Sequence, residues 1–221
     1  MKPLILWDID GTLLSTGGAG RGALDEAFEG LHGVKSAFTR VVFGGCTDPG
    51  IVAQAFDHAG IQYDDDAIEQ VLQSYIPRLR ERLRSDAIVV HPGVPGIVLE
   101  TEALAVNALL TGNWSEGARH KLEAVGLWQH FAFGAFGDDS AQRNDLVPVA
   151  RERCPYEPRH VVVIGDTPSD IACARAGAAI AVAVCTGWSS REELEAAAPD
   201  LLLKDLHEGR EALLDLLRGL G

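Results

Sequence analysis

The chain has 221 residues, enough for one large domain or a domain carrying a smaller module. A hydrophobic content of 47% excludes a disordered chain and implies a packed core. The formal net charge of -13, with no block of clustered Lys and Arg, argues against duplex nucleic acid or an anionic membrane surface as a partner.

No run reaches the roughly 18 to 20 apolar residues of a membrane span. The start Met1-Lys2-Pro3-Leu4 leads directly into a strand, without the pattern of a secretory leader. The four cysteines, Cys46, Cys154, Cys173 and Cys185, form no CxxC pair, as expected of free thiols in a reducing cytoplasm. The histidines form no HExxH and no zinc spacing.

Leu4 to Trp7 is an apolar run long enough for a buried strand. It continues into Asp8-Ile9-Asp10-Gly11-Thr12. Residues two apart in an extended chain point to the same side, so Asp8 and Asp10 can face one small volume at the strand end. Two carboxylates that close repel unless a cation or a shared proton intervenes. Hard cations such as Mg²⁺ prefer such oxygen ligands.

The glycine-dense stretch Gly17 to Gly22 reads as a turn or hinge. Its Gly18-x-Gly20-x-x-Ala23 match to a dinucleotide fingerprint lies too far beyond the strand to serve as one. Ala23 to Leu31 is expected to be helical, ending near Gly33. After the short apolar run Val41-Val42-Phe43 come Gly44 and Gly45, and then Thr47 or Asp48 as cap of a helix reaching about Ala59. A further helix starts at Asp64 to Asp66. Its apolar stripe is Ile68, Val71, Leu72, Tyr75, Ile76, Leu79 and Leu83, and Pro77 can kink it. Residues 15–92 therefore read as a small helical unit. It is bracketed by the glycine stretch and by His91-Pro92-Gly93-Val94-Pro95-Gly96, and two such connections suit a lid.

From there strands and helices alternate. Ala103 to Leu110 is expected as a strand ending in Thr111-Gly112-Asn113, followed by a helix from Trp114 to Val125. Phe131 to Phe136 is expected as the next strand, with Leu146 to Arg153 helical. Val161 to Ile164 is a strand ending in Gly165-Asp166, Thr167 to Ala176 a helix, and Ala179 to Val184 a strand. Leu201 to Leu203 reads as a short edge strand and Arg210 to Arg218 as a closing helix. This alternation implies an α/β protein whose parallel sheet is covered on both faces.

Sites in open parallel sheets form beyond the carboxyl ends of the strands. There the sequence carries Asp8-x-Asp10-Gly11-Thr12, then Thr111, then Gly165-Asp166-x-x-x-Asp170. This ordered set resembles the haloacid dehalogenase superfamily over nearly the whole chain, and an insertion after the first strand resembles its helical-cap, phosphoglycolate phosphatase-like members. The resemblance implies a Rossmann-like core at 1–14 and 93–221 with an all-helical cap at 15–92. It implies Mg²⁺-dependent hydrolysis of a small phosphorylated metabolite through an aspartyl-phosphate, by a monomer or homodimer with no nucleic-acid or membrane partner. By the same resemblance Asp8 is the nucleophile and Asp10 the acid and base. Thr111, with Gly112 and Asn113, binds phosphate oxygens. Asp8, Asp10 (through its carbonyl), Asp166 and Asp170 serve the metal.

The family's usual lysine is missing between Asp138 and Asp145, where Arg143 is the candidate replacement. Lys121 is the second candidate, although its position reads as a helix surface. Arg21, Gly45, Cys46 and Thr47 are candidate cap contacts to substrate. The carbon-attacking dehalogenases lack the second aspartate, so Asp10 points to phosphoryl chemistry. A phosphomutase and a non-catalytic phospho-ligand-binding protein are the alternatives.

Overall fold

The structure is a computed structural model, described for residues 2–221. A six-stranded parallel sheet is built from β1 (Leu4–Trp7), β4 (Val106–Leu110), β5 (Gly134–Ala135), β6 (Val161–Gly165), β7 (Ile180–Val184) and β8 (Leu201–Leu203). Its order is β5-β4-β1-β6-β7-β8. The chain lays β4 and β5 on one side of β1 and then returns to build β6, β7 and β8 on the other. The order therefore reverses at β1, where an open α/β sheet leaves a crevice at its carboxyl edge.

Alternation along β1 feeds two cores. Ile5 and Trp7 pack with Val94, Ile97, Leu122 and Leu213 on one face, and Leu4 and Leu6 with Leu146, Val147, Ile171 and Ala174 on the other. Both faces are covered, so all four β1 residues are fully buried. The covering helices are α4 (Val94–Leu104), α5 (Ser115–Glu123), α6 (Leu146–Arg153), α7 (Pro168–Ala176), α8 (Arg191–Ala196) and α9 (Arg210–Leu220).

Between β1 and α4 the chain forms three helices, α1 (Ala19–His32), α2 (Asp48–Ala59) and α3 (Asp65–Ser85). They enclose a third apolar cluster of their own, which includes Phe28, Phe38, Phe56, Leu72 and Tyr75. The two connecting segments pair with each other as a short antiparallel ribbon, β2 (Leu14–Ser15) with β3 (Val89–Val90). Ser15 Oγ and His91 Nε2 lie 3.1 Å apart across these connections.

Several elements differ from expectation. α1 begins at Ala19, four residues early, because Gly18 turns the chain in the left-handed region at φ 92°. The Arg82 guanidinium lies over Gly22, where a Cβ would have to push it aside. α3 continues through Pro77. α4 starts within the stretch read as a boundary, and the following strand begins only at Val106. The strand expected over 131–136 is confined to Gly134–Ala135. α8 was not anticipated, although Ser190 and Glu193 form a capping box at its start. No helix of the described residues is long and apolar enough to cross a membrane.

Candidate active site

Strand register brings the chemistry together. Trp7 of β1 pairs with Leu109 of β4 on one side and with Ile164 of β6 on the other. Asp8, Thr111 and Asp166 therefore emerge at one rim although they lie far apart in the chain. All three are buried, at 6%, 0% and 1% exposure.

Asp8 accepts from Arg143 Nη2 at 2.8 Å, and the same nitrogen donates to Asp170 Oδ1 at 2.5 Å. The other oxygen of Asp170 accepts from the Thr167 amide and hydroxyl, closing the capping box of α7. Asp170 thus caps its helix and faces the site at the same time. Asp166 accepts from Trp188 N at 3.0 Å and from Thr12 Oγ1 at 3.3 Å. Gly11 sits in the left-handed region, and a Cβ there would lie 2.4 Å from Asp166 Oδ2, so only glycine fits.

Ligand oxygens of Asp8, Asp166 and Asp170 lie within 4.8 Å of one another. Burial, opposed by Arg143, pushes the Asp8 carboxyl above its ordinary range. Burial together with the negative neighbours Asp8 and Asp170 does the same to Asp166. Three crowded, buried, oxygen-only ligands with too little positive charge fit a hard divalent cation. Asn113 Oδ1 and Arg143 Nε are buried there without a hydrogen-bond partner among the described residues. A polar ligand would satisfy such groups.

Asp10 lies further out and is part-exposed. Its Oδ2 accepts from Asn113 Nδ2 at 2.8 Å and from Lys121 Nζ at 2.5 Å. Lys121 is only 4% exposed and lies in the site rather than on a helix surface. The sequence offers two cations for one vacancy, and the fold uses both: Arg143 meets Asp8 and Lys121 meets Asp10.

A cavity of about 600 Å³ opens over this rim, a size suited to small organic ligands. Asp8, Asp10, Thr111, Gly112, Asn113, Arg143, Asp166 and Asp170 line its floor, and Arg21, Gly45 and Cys46 line the helical side. The Arg21 guanidinium donates to the Phe38 carbonyl and lies 5.1 Å from the Phe43 ring centroid. Thr47 sits behind the wall. Its side chain caps α2 and donates to the Ala141 carbonyl at 2.9 Å. Asp48, Tyr75 and the Thr186-Gly187-Trp188 turn also line the cavity. The sequence reads Asp48 as a possible helix cap, Tyr75 as part of the apolar stripe of α3 and Thr186-Gly187 as a strand end, and none of these patterns marks a cavity wall.

Residues 5–184 match the model of the haloacid dehalogenase-like hydrolases. A phosphoglycolate phosphatase of Rhodospirillum rubrum is 28% identical over 198 residues, covering 86% of this chain and 82% of the relative. A probable phosphatase, IndB, of Dickeya dadantii is 26% identical over 216 residues, covering 94% and 92%. CbbY of Rhodobacter sphaeroides, solved in complex with phosphate, superposes with a TM-score of 0.76 at 22% identity over 95% of this chain and 96% of that one. The chain belongs to the haloacid dehalogenase-like hydrolases and, within them, resembles phosphatases.

Proposed function

We propose that the chain is a Mg²⁺-dependent phosphatase that hydrolyses a small phosphate monoester through an aspartyl-phosphate on Asp8. The observation that carries this reading is the Asp8 carboxylate itself. It is buried at the switch point of the sheet, one oxygen is held by Arg143, and two further carboxylates lie beside it. A carboxylate and a phosphate are both anionic. At ~4 Å, like unit charges repel by about 4 kcal/mol at an effective dielectric of about 20. The Arg143 guanidinium offsets part of this. A bound cation, held by Asp8, Asp166 and the carbonyl of Asp10 with Asp170 behind them, would supply the remaining positive charge.

The protein's own groups then divide the work. Asp8 attacks phosphorus. Thr111 and the amides of Gly112 and Asn113 face the non-bridging oxygens and fix the phosphate. Asp10 gives a proton to the leaving oxygen and later takes one from water. The helical unit, residues 15–92, acts as a cap on the core at 1–14 and 93–221. Arg21, Gly45 and Cys46 on its cavity side touch the rest of the substrate, and closure excludes bulk water. Four unpaired cysteines suit the cytoplasm as its compartment.

The test is a broad panel of phosphate monoesters with and without Mg²⁺, on the wild type and Asp8→Asn. Turnover is expected from the wild type only, with both proteins folded. Substantial turnover by Asp8→Asn, or none by the wild type across the panel, would contradict this reading.

A further inference from the structure

Arg143 stands against Asp8 in the place where the resemblance expects a lysine. Lys121 does something else. Its ammonium and the Asn113 amide both meet Oδ2 of Asp10, at 2.5 and 2.8 Å. Two donors on one oxygen fix the plane of the carboxylate. They leave Oδ1, which has no hydrogen bond to the described residues, as the oxygen able to exchange a proton over the cavity that Asp10 lines.

Lys121 is itself held. The Tyr75 ring lies 3.5 Å from the Cβ position of Gly117, one turn earlier on α5, at ordinary contact distance. On the side of the helical unit, Lys121 Nζ and the Tyr75 hydroxyl lie 3.8 and 3.7 Å from the Cβ position of Gly20 in α1. The ammonium is therefore seated between core and helical unit, aimed at Asp10.

We propose that Lys121 is a positioning residue that sets Asp10 for hydrolysis of the aspartyl-phosphate. The inference rests on the roles assigned above to Asp8 and Asp10. In the first half-reaction an Asp8 oxygen bonds to phosphorus, the bond to the leaving oxygen breaks, and Asp10 gives that oxygen its proton. A good leaving group departs without the proton. In the second half, water bonds to phosphorus, the Asp8–phosphorus bond breaks, and the proton of water returns to Asp10. That second transfer is needed whatever ester was used, so displacing Asp10 slows it for every substrate.

The experiment compares Lys121→Met with wild type on para-nitrophenyl phosphate, in rapid-mixing and steady-state kinetics with saturating Mg²⁺. The expected result is a nitrophenolate burst at close to the wild-type rate, then a kcat lowered by roughly 100-fold. KM falls with kcat, leaving kcat/KM nearly unchanged. Lys121→Arg recovers part of kcat, and Asp10→Asn reproduces the burst pattern. Thermal unfolding confirms a folded variant, and Lys121→Gln replaces Lys121→Met where the latter is unfolded. A burst rate that falls in parallel with kcat would overturn the proposal, because Lys121 would then serve phosphate binding. Wild-type kinetics in Lys121→Met would overturn it as well. Absence of Mg²⁺-dependent turnover in the wild type would instead overturn the phosphatase reading.

Discussion

The Arg143 guanidinium reaches within 2.8 Å of the Asp8 carboxylate from 135 residues further along the chain. Both groups are buried, and the same nitrogen also holds Asp170. Removing the cation leaves two buried acids facing each other with no positive charge between them. Arg143→Met is expected to lower kcat/KM by roughly 10² to 10³-fold. It is also expected to destabilise the fold by about 3 kcal/mol, the scale for breaking a buried ion pair. Arg143→Lys keeps the charge and is expected to retain more of both. Steady-state kinetics and urea unfolding check the pair of variants.

Asp48 gives a pH-dependent prediction. Its carboxylate accepts from Trp114 N at 2.7 Å, and burial, opposed by Lys121, pushes its pKa from 3.8 up to about 6. A raised carboxyl holds its proton more tightly in the folded state. It therefore favours folding below about pH 4, and this contribution is lost as pH rises to about 6. The span of about two pH units corresponds to about 3 kcal/mol at most. Asp48→Asn keeps an acceptor for Trp114 and carries no charge. It is expected to be more stable than wild type at pH 7.5 and to lose that advantage near pH 4. Urea unfolding at the two pH values measures the difference.

Gly112 lies where the turn after β4 meets the helical unit. A Cβ there would stand 2.0 Å from the Cys46 carbonyl oxygen and 2.9 Å from Thr47 Cα. The Gly112 carbonyl also accepts from Asp48 N at 2.7 Å. Gly112→Ala must push the two loops apart. Displacements of about 1 Å cost on the order of 10²-fold in rate, and that is the expected loss in kcat/KM. The β1–β4–β6 core should remain intact, as read by far-ultraviolet circular dichroism.

The parts of the site legible in the sequence are those written into a strand and its immediate end. Asp8, Asp10, Thr111 and Asp166 each follow an apolar run that stops at glycine or threonine, so their strand-end positions follow from local pattern. Arg143 was found by a gap in the motif order. Lys121 was visible as a residue, but its burial was not. A single lysine on a charged helix, with Glu116 and Arg119 nearby, reads as solvated until the fold buries it against Asp10 of another element. The Thr186-Gly187-Trp188 turn was unreadable for a similar reason. Its role is a backbone N–H aimed at Asp166, and any residue but proline carries one. The early start of α1 was hidden by Gly20 and Gly22, which read as turn residues although both lie inside the helix.

Metal binding should release protons. Asp8 and Asp166 hold their protons above the ordinary carboxylate range, chiefly through burial, and a cation binds only the deprotonated forms. Without metal, stability is expected to fall as pH rises through neutrality, because these raised acids must ionise while buried. Mg²⁺ at 100 times its Kd is expected to restore about 2.7 kcal/mol. Calorimetric titrations at pH 6 in two buffers of different ionisation enthalpy should show proton release, and at pH 9 little or none. Equal release at both would contradict the assigned ligands.

The most direct measurement is to quench the enzyme in acid during turnover of a phosphate-labelled substrate and map the label by peptide mass spectrometry. Labelled phosphate is expected on Asp8 and is expected to be lost in Asp8→Asn. Turnover with phosphate trapped on another residue, or with none trapped under conditions where the Lys121→Met burst predicts its accumulation, would contradict Asp8 as the nucleophile.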